Sequence, residues 1–178
     1  MKIRVKNQIR LGIDFGNTIV QFVRKDEQSE SECVEIDGAT ETIRKLVNRY
    51  GAEHVYIISK AVPREQTKTL LWLKAHWGID RPSARKRSYR ATGLKEDNIY
   101  FCAHRAEKAP IAARLRLTHY IDDRPQVLSC MTTVRNKIIF NLAAEDLSAW
   151  QNEIVGRVSI VSDWRGVEQL LLPEHPAG

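Results

Sequence analysis

The sequence predicts an α/β protein: a three-layer sandwich whose central parallel sheet of five to six strands carries helices on both faces, with a small β-hairpin after the first strand. Three observations lead there. Short apolar runs rich in β-branched residues alternate with segments of helical spacing from Leu11 onward, and such alternation builds parallel strands joined by crossover helices. Proline and glycine fall at the junctions between these segments. Two of the apolar runs, ending at Ile13 and at Ile121, stop abruptly at carboxylates, Asp14 and the pair Asp122-Asp123. A strand end of this kind lies on the edge where α/β sheets bind ligands.

Residues 9–14 read as a buried strand. Residues 20–24 and 33–36 flank the polar stretch 26–32 and read as a hairpin. Ile43, Leu46, Val47 and Tyr50 recur at helical spacing, and Gly51 suits the C-terminal stop. Residues 55–59 form a second strand rich in Val and Ile. Pro63 then suits a first helical turn, Leu70, Leu73 and Trp77 share one face, and Gly78 suits the stop. Residues 98–102 are a third strand, and Pro110 is expected to open a helix with Ile111, Leu115 and Leu117 facing inward. Residues 119–121 are a fourth strand, ending at Asp122-Asp123, which could instead cap a turn together with Pro125. Residues 137–140 and 158–161 complete the sheet. Ser162 or Asp163 is placed to cap a final helix with Val167, Leu170 and Leu171 inward, and residues 173–178 are expected to fray. The reading is one domain over residues 1–178, with its core about residues 9–172.

With 178 residues, 43% of them hydrophobic, the chain can build one core. No apolar run approaches a membrane span, and the charged residues 1–6 precede too short an apolar stretch for a signal peptide. Cys33, Cys102 and Cys130 are odd in number and lack C-x-x-C spacing, which suits a reduced, cytoplasmic protein without disulfides or zinc. Cys102, in an apolar run, reads as a buried thiol. The formal charge of +6 favours anionic partners, phosphates above all. Residues 81–90 hold Arg81, Arg85, Lys86, Arg87 and Arg90 and no acid. They read either as a solvated basic loop or as a contact for a phosphorylated macromolecule or nucleic acid.

Asp14-Phe15-Gly16-Asn17-Thr18 after one strand, Ser59 after a second, Lys108 near a helix start and Asp122-Asp123 after a later strand stand in the order of the four motifs of the haloacid dehalogenase superfamily, which the chain resembles over about residues 11–171. The resemblance implies a Rossmann-like, capless phosphohydrolase. Asp14 would be the nucleophile that forms an aspartyl-phosphate. Mg²⁺ would be held by Asp14, Asp123 and the Gly16 carbonyl, with Asp122 behind them, although Asp122 and Asp123 are interchangeable from sequence. Ser59 would donate to a phosphoryl oxygen. Lys108 would neutralise the transferring group and keep Asp14 ionised, a role for which Arg105 competes, and Glu107 could pair with either. Asn17, Thr18, Lys60 and Arg105, with Arg85 and Arg87 of the basic segment, would contact the substrate. His104 and His119 read as ordinary polar residues.

Where that family's phosphatases carry an acid/base Asp, two residues after the nucleophile, this chain has Gly16. Losing general acid–base assistance costs about a hundred- to ten-thousandfold in rate. The sequence therefore points to a slow or specialised phosphatase acting on acyl or aryl phosphates, to recruitment of Asp26, Glu27 or Glu30 from the hairpin, or to a non-catalytic phosphate-binding module. Short spacing between the motifs leaves no room for a large cap, so the site would admit large substrates or borrow a lid from a second subunit. Asp14-Phe15-Gly16-Asn17-Thr18 also resembles the first phosphate motif, D-x-G-x-T, of actin-like small-molecule kinases, in which a glycine turn approaches ATP phosphates. That reading expects two lobes and leaves Asp122-Asp123 without a role. A nucleic-acid-binding module is the third class, with Tyr89 the sole aromatic among the basic residues.

Overall fold

The computed structural model describes residues 8–24, 26–27, 31–79, 91–142, 150 and 153–173. The basic segment with Arg85 and Arg87, and Glu30, lie outside the described residues. Six strands make one parallel sheet: β1 (Leu11–Ile13), β4 (Val55–Lys60), β5 (Ile99–Cys102), β6 (His119–Asp122), β7 (Asn136–Phe140) and β8 (Arg157–Val161), in the order β5-β4-β1-β6-β7-β8. β2 (Val20–Val23) and β3 (Glu32–Glu35) pair antiparallel as a separate two-stranded sheet. Among the described residues the α-helices are α1 (Ala39–Tyr50), α2 (Pro63–Trp77), α3 (Lys108–Arg114), α4 (Pro125–Cys130) and α5 (Trp164–Leu171).

Alternation along the strands divides the core into two layers. On one face Ile13, Ile57, Ile121 and Ile138 pack under α1, α2 and α5, whose Ile43, Leu46, Trp72, Trp77, Trp164 and Val167 are buried there. Against the other face lie α3 and α4, with Ala112, Leu117, Val127 and Leu128 over Ile58, Tyr120 and Ile139. Burying one such aliphatic or aromatic side chain contributes about 1.5–3 kcal/mol. Gly12 permits the fit on this second face: a Cβ there would stand 2.6 Å from both the Tyr120 ring and Leu117 Cδ1.

Sequence and structure agree on every predicted strand, on the hairpin and on the Gly51 and Gly78 stops, and differ in detail elsewhere. α3 begins at Lys108, not Pro110, because a 3₁₀ turn over Arg105–Glu107 leads straight into it. Ile111 and Leu115 are only half-buried, and Ala112 is the inward residue. In α5, Asp163 is the cap, accepting from Gly166 N at 2.8 Å, and Leu170 is 43% exposed because Trp164 takes the inward position instead. α4 was not expected: its six residues hold too few apolar positions to show a period. Among the described residues no helix is long and apolar enough to cross a membrane.

The chain runs from β1 outward through β4 to β5, then returns to the other side of β1 for β6, β7 and β8. The sheet order thus reverses between β1 and β6, and the crevice of such a sheet opens at the carboxyl ends of those strands. Ile13 lies in register with Ile57 and Ile121. The next residues, Asp14 and Asp122, therefore leave neighbouring strands side by side.

Candidate active site

Asp14 and Asp122 follow Ile13 and Ile121 by one residue and so point to the α3 face. Lys108, the first residue of α3, reaches between them: its Nζ lies 2.7 Å from Asp14 Oδ1 and 2.8 Å from Asp122 Oδ2. The approach to α3 is rigidly built. Glu107 Oε2 accepts from the backbone N–H groups of Ala103 and His104 at 2.9 and 3.3 Å, closing the turn that delivers Lys108. Glu107 thus caps this turn and forms no ion pair with Lys108 or Arg105. Lys108 is 2% exposed, and Asp122 is fully buried.

Asp123 completes the group. Oxygens of Asp14, Asp122 and Asp123 all lie within 4.8 Å of one another. The two adjacent aspartates differ in surroundings. Both Asp122 oxygens are engaged, Oδ2 by Lys108 and Oδ1 by the Arg124 N–H at 2.9 Å. Asp123 Oδ2 accepts from Asn17 Nδ2 at 3.3 Å, while its buried Oδ1 has no hydrogen-bond partner. Asn17 holds this position from a left-handed backbone, φ 55°, in a turn closed by its N–H to the Val20 carbonyl at 2.6 Å.

The charges do not balance within the chain. Burial pushes the Asp122 carboxyl up to about 8, with the Asp14 charge adding to it and Lys108 opposing. Asp14 is likewise raised by burial, against the pull of Lys108. For Lys108 burial disfavours the ammonium, but the attraction and hydrogen bonds of Asp122 and Asp14 together outweigh it and raise its pKa above 10.5. Three carboxylates share the Lys108 ammonium and, at 4.0 Å from Asp123 Oδ2, the more exposed Arg124 guanidinium, and one buried Asp123 oxygen has no partner. A hard divalent cation fits this donor set: it needs oxygen ligands and would offset the excess negative charge.

A cavity of about 520 Å³ opens from Asp14 between the hairpin and α2. Of the residues predicted for the site, Asp14, Gly16, Asn17, Ser59, Lys60, Arg105 and Lys108 line it. Lys108 rather than Arg105 meets the carboxylates. Thr18 does not belong there: its side chain is fully buried, and its carbonyl accepts from Trp164 Nε1 at 2.8 Å, tying the turn to α5. Arg64, Lys68 and Arg124 line the cavity as well and were missed in the sequence, where only Pro63 marked this helix start. Asp26 and Glu27 are exposed on the hairpin and do not line the cavity.

Phe22 was also missed. The turn after Asp14 folds back on itself, with Ile19 and Val20 N–H groups on the Phe15 carbonyl at 2.9 and 3.1 Å, so that β2 leaves directly over Gly16. A Cβ at Gly16 would stand 2.9 Å from Phe22 Cε2. The hairpin is pinned from beneath, since Trp72 Nε1 of α2 donates to the Cys33 carbonyl at 3.2 Å and packs edge-on against Phe15 at 5.6 Å.

No family model and no curated protein matches the chain. Among solved structures it is similar to a candidate 3-deoxy-D-manno-octulosonate 8-phosphate phosphatase from Vibrio cholerae, with 16% identity and TM-score 0.51 over 92% of this chain and 81% of that one. It also aligns with a de novo designed Rossmann 3x3 fold protein, with 12% identity and TM-score 0.48 over 96% of this chain and 98% of that one. At these identities the likeness is one of fold.

Proposed function

We propose that the protein is a Mg²⁺-dependent phosphohydrolase of the haloacid dehalogenase type, capless and built as one domain, working through an aspartyl-phosphate at Asp14. The observation that carries this reading is the ammonium of Lys108 held between Asp14 and Asp122 at the tips of neighbouring strands. Asp14, Asp123 and the Gly16 carbonyl would hold Mg²⁺, which when bound supplies charge neutralisation for the phosphoryl group.

The chain's own residues divide the remaining work. Asp14 attacks phosphorus through a carboxylate oxygen that Lys108 keeps oriented and ionised. Asp122, fully buried, positions Lys108. Asn17 positions Asp123. Ser59 donates to a phosphoryl oxygen, and Lys60 and Arg105 meet the anionic substrate from the cavity wall. An open cavity suits a phosphorylated substrate of any size, a macromolecule included, and a second copy of the chain could serve as its lid.

Gly16, with Phe22 over it, also favours a second reading, a phosphate-binding module without turnover. The kinase reading loses ground, because both acidic tips stand on a single six-stranded sheet and the hairpin forms its own small sheet. The deciding experiment is hydrolysis of p-nitrophenyl phosphate with and without Mg²⁺. Turnover that requires Mg²⁺ and falls about ten-thousandfold or more in Asp14→Asn is expected. Activity unchanged in Asp14→Asn removes the nucleophile, and phosphate binding without turnover moves the conclusion to the module.

A further inference from the structure

We infer that the site selects phosphate monoesters of aromatic alcohols, with Phe22 as the residue that receives the departing ring. The inference rests on the phosphohydrolase reading above and concerns what leaves phosphorus.

Among the described residues the cavity wall contains two carboxylates, Asp14 and Glu65. Asp14 is the attacking group. Glu65 Oε2 accepts from the Val62 N–H at 3.2 Å, capping α2, and is committed there. Position 16 offers no acid, and the Phe22 ring edge stands within 2.9 Å of where its Cβ would be. The other charged lining groups, among them Lys60, Arg105 and Arg124, are cations, whose charge favours a departing anion. Among the described residues no further carboxyl group stands ready to protonate the leaving oxygen, so the site favours a leaving group that departs as a stable anion.

The step balances on that basis. An Asp14 oxygen forms the bond to phosphorus as the bond from phosphorus to the ester oxygen breaks, and the electron pair leaves on that oxygen. Water then attacks phosphorus, releases inorganic phosphate, restores the Asp14 carboxylate and gives its proton to solvent. Phenols have pKa values of about 10, whereas an aliphatic alcohol lies nearer to water, about 15.7. Without an acid, a phenolate leaves far faster than an alkoxide. Phe22 adds the second element. It is 54% exposed and lines the cavity beside Gly16, where its ring can receive a planar group.

The test uses the full chain with Mg²⁺ and measures kcat/KM for substituted phenyl phosphates spanning leaving-group pKa values of about 7 to 10, alongside glycerol phosphate and acetyl phosphate. We expect kcat/KM to fall about tenfold or more across the phenyl series and glycerol phosphate to be turned over far more slowly than any of it. In Phe22→Ala the preference for phenyl phosphate over acetyl phosphate should drop about two- to tenfold. In the double variant Gly16→Asp with Phe22→Ala, an acid regains its place and the dependence on leaving-group pKa should flatten; Gly16→Asp alone should not achieve this. A flat series with glycerol phosphate turned over as fast as phenyl phosphate overturns the inference, as does an unaltered preference in Phe22→Ala, while hydrolysis of aryl phosphates still stands. No turnover of any substrate, acetyl phosphate included, overturns the phosphohydrolase reading itself.

Discussion

Lys108 and Lys137 are both buried, yet they stand at opposite ends of the sheet among opposite kinds of partner. Lys108 opens α3 at the carboxyl edge and is held by two carboxylates. Lys137 is the second residue of β7, near the amino edge, and its Nζ donates to the backbone carbonyls of Val134, at 2.9 Å, and Val155. Their acidities respond in opposite directions. Two carboxylates raise the pKa of Lys108 in spite of burial, whereas burial lowers that of Lys137. A buried ammonium among neutral carbonyls ties loops together and has no use for charge. One among an excess of carboxylates suits the proposed site, which would take further positive charge and an anionic guest.

The comparison breaks most visibly at Lys108. On the proposed mechanism, Lys108→Met should lower phosphate ester turnover about a hundred- to a thousandfold, since it removes the ammonium paired with Asp14. Retention of the wild-type rate in a steady-state assay would assign Lys108 the same purely structural part as Lys137. Mg²⁺ addresses the charge excess directly. At a hundredfold over its Kd, Mg²⁺ should stabilise the fold by about 2.7 kcal/mol, read as a rise in thermal midpoint, and Asp123→Asn should abolish most of that rise. An unchanged midpoint on adding Mg²⁺ to the wild type would mean the three aspartates hold no metal.

Lys137→Met should do the reverse of Lys108→Met. Leaving the Val134 and Val155 carbonyls without a donor should cost about 1–3 kcal/mol in urea unfolding, with turnover unaltered. The pH dependence sharpens this further. Because the folded-state pKa of Lys137 lies below its unfolded value, the unfolded chain holds this proton more tightly. Wild-type stability should therefore rise relative to Lys137→Met as pH climbs toward 10.5. A constant difference across that range would remove the charge from the account of Lys137. The smallest effect lies at the far end of the chain, where Asp163→Ala should cost about 1 kcal/mol through the lost α5 cap.

Much of this architecture is legible in residue order. Each β-branched run became a strand, the glycines at 51 and 78 ended their helices, and the acidic stops at Asp14 and Asp122-Asp123 fell on one sheet edge. Local chemistry suffices for these because period, capping and turn preferences act within a few residues. Cys102 as a buried thiol follows for the same reason. Thr18 escaped such reasoning. Its neighbours look like a phosphate turn, but the Trp164 indole 146 residues away draws the Thr18 carbonyl into the core.

The order of residues alone determined an α/β sheet with carboxylates at its crevice and no acid at position 16. Tertiary structure decided which cation meets those carboxylates, which aspartate keeps an unpartnered oxygen, and what fills the space beside Gly16. Those outcomes depend on contacts between segments far apart in the chain: α3 with two strand tips, and a hairpin pinned by a tryptophan of α2. Spacing along a sequence encodes direction and period, whereas the choice between Lys108 and Arg105, or between Asp122 and Asp123, turns on ångström distances and burial that arise only once the layers have packed.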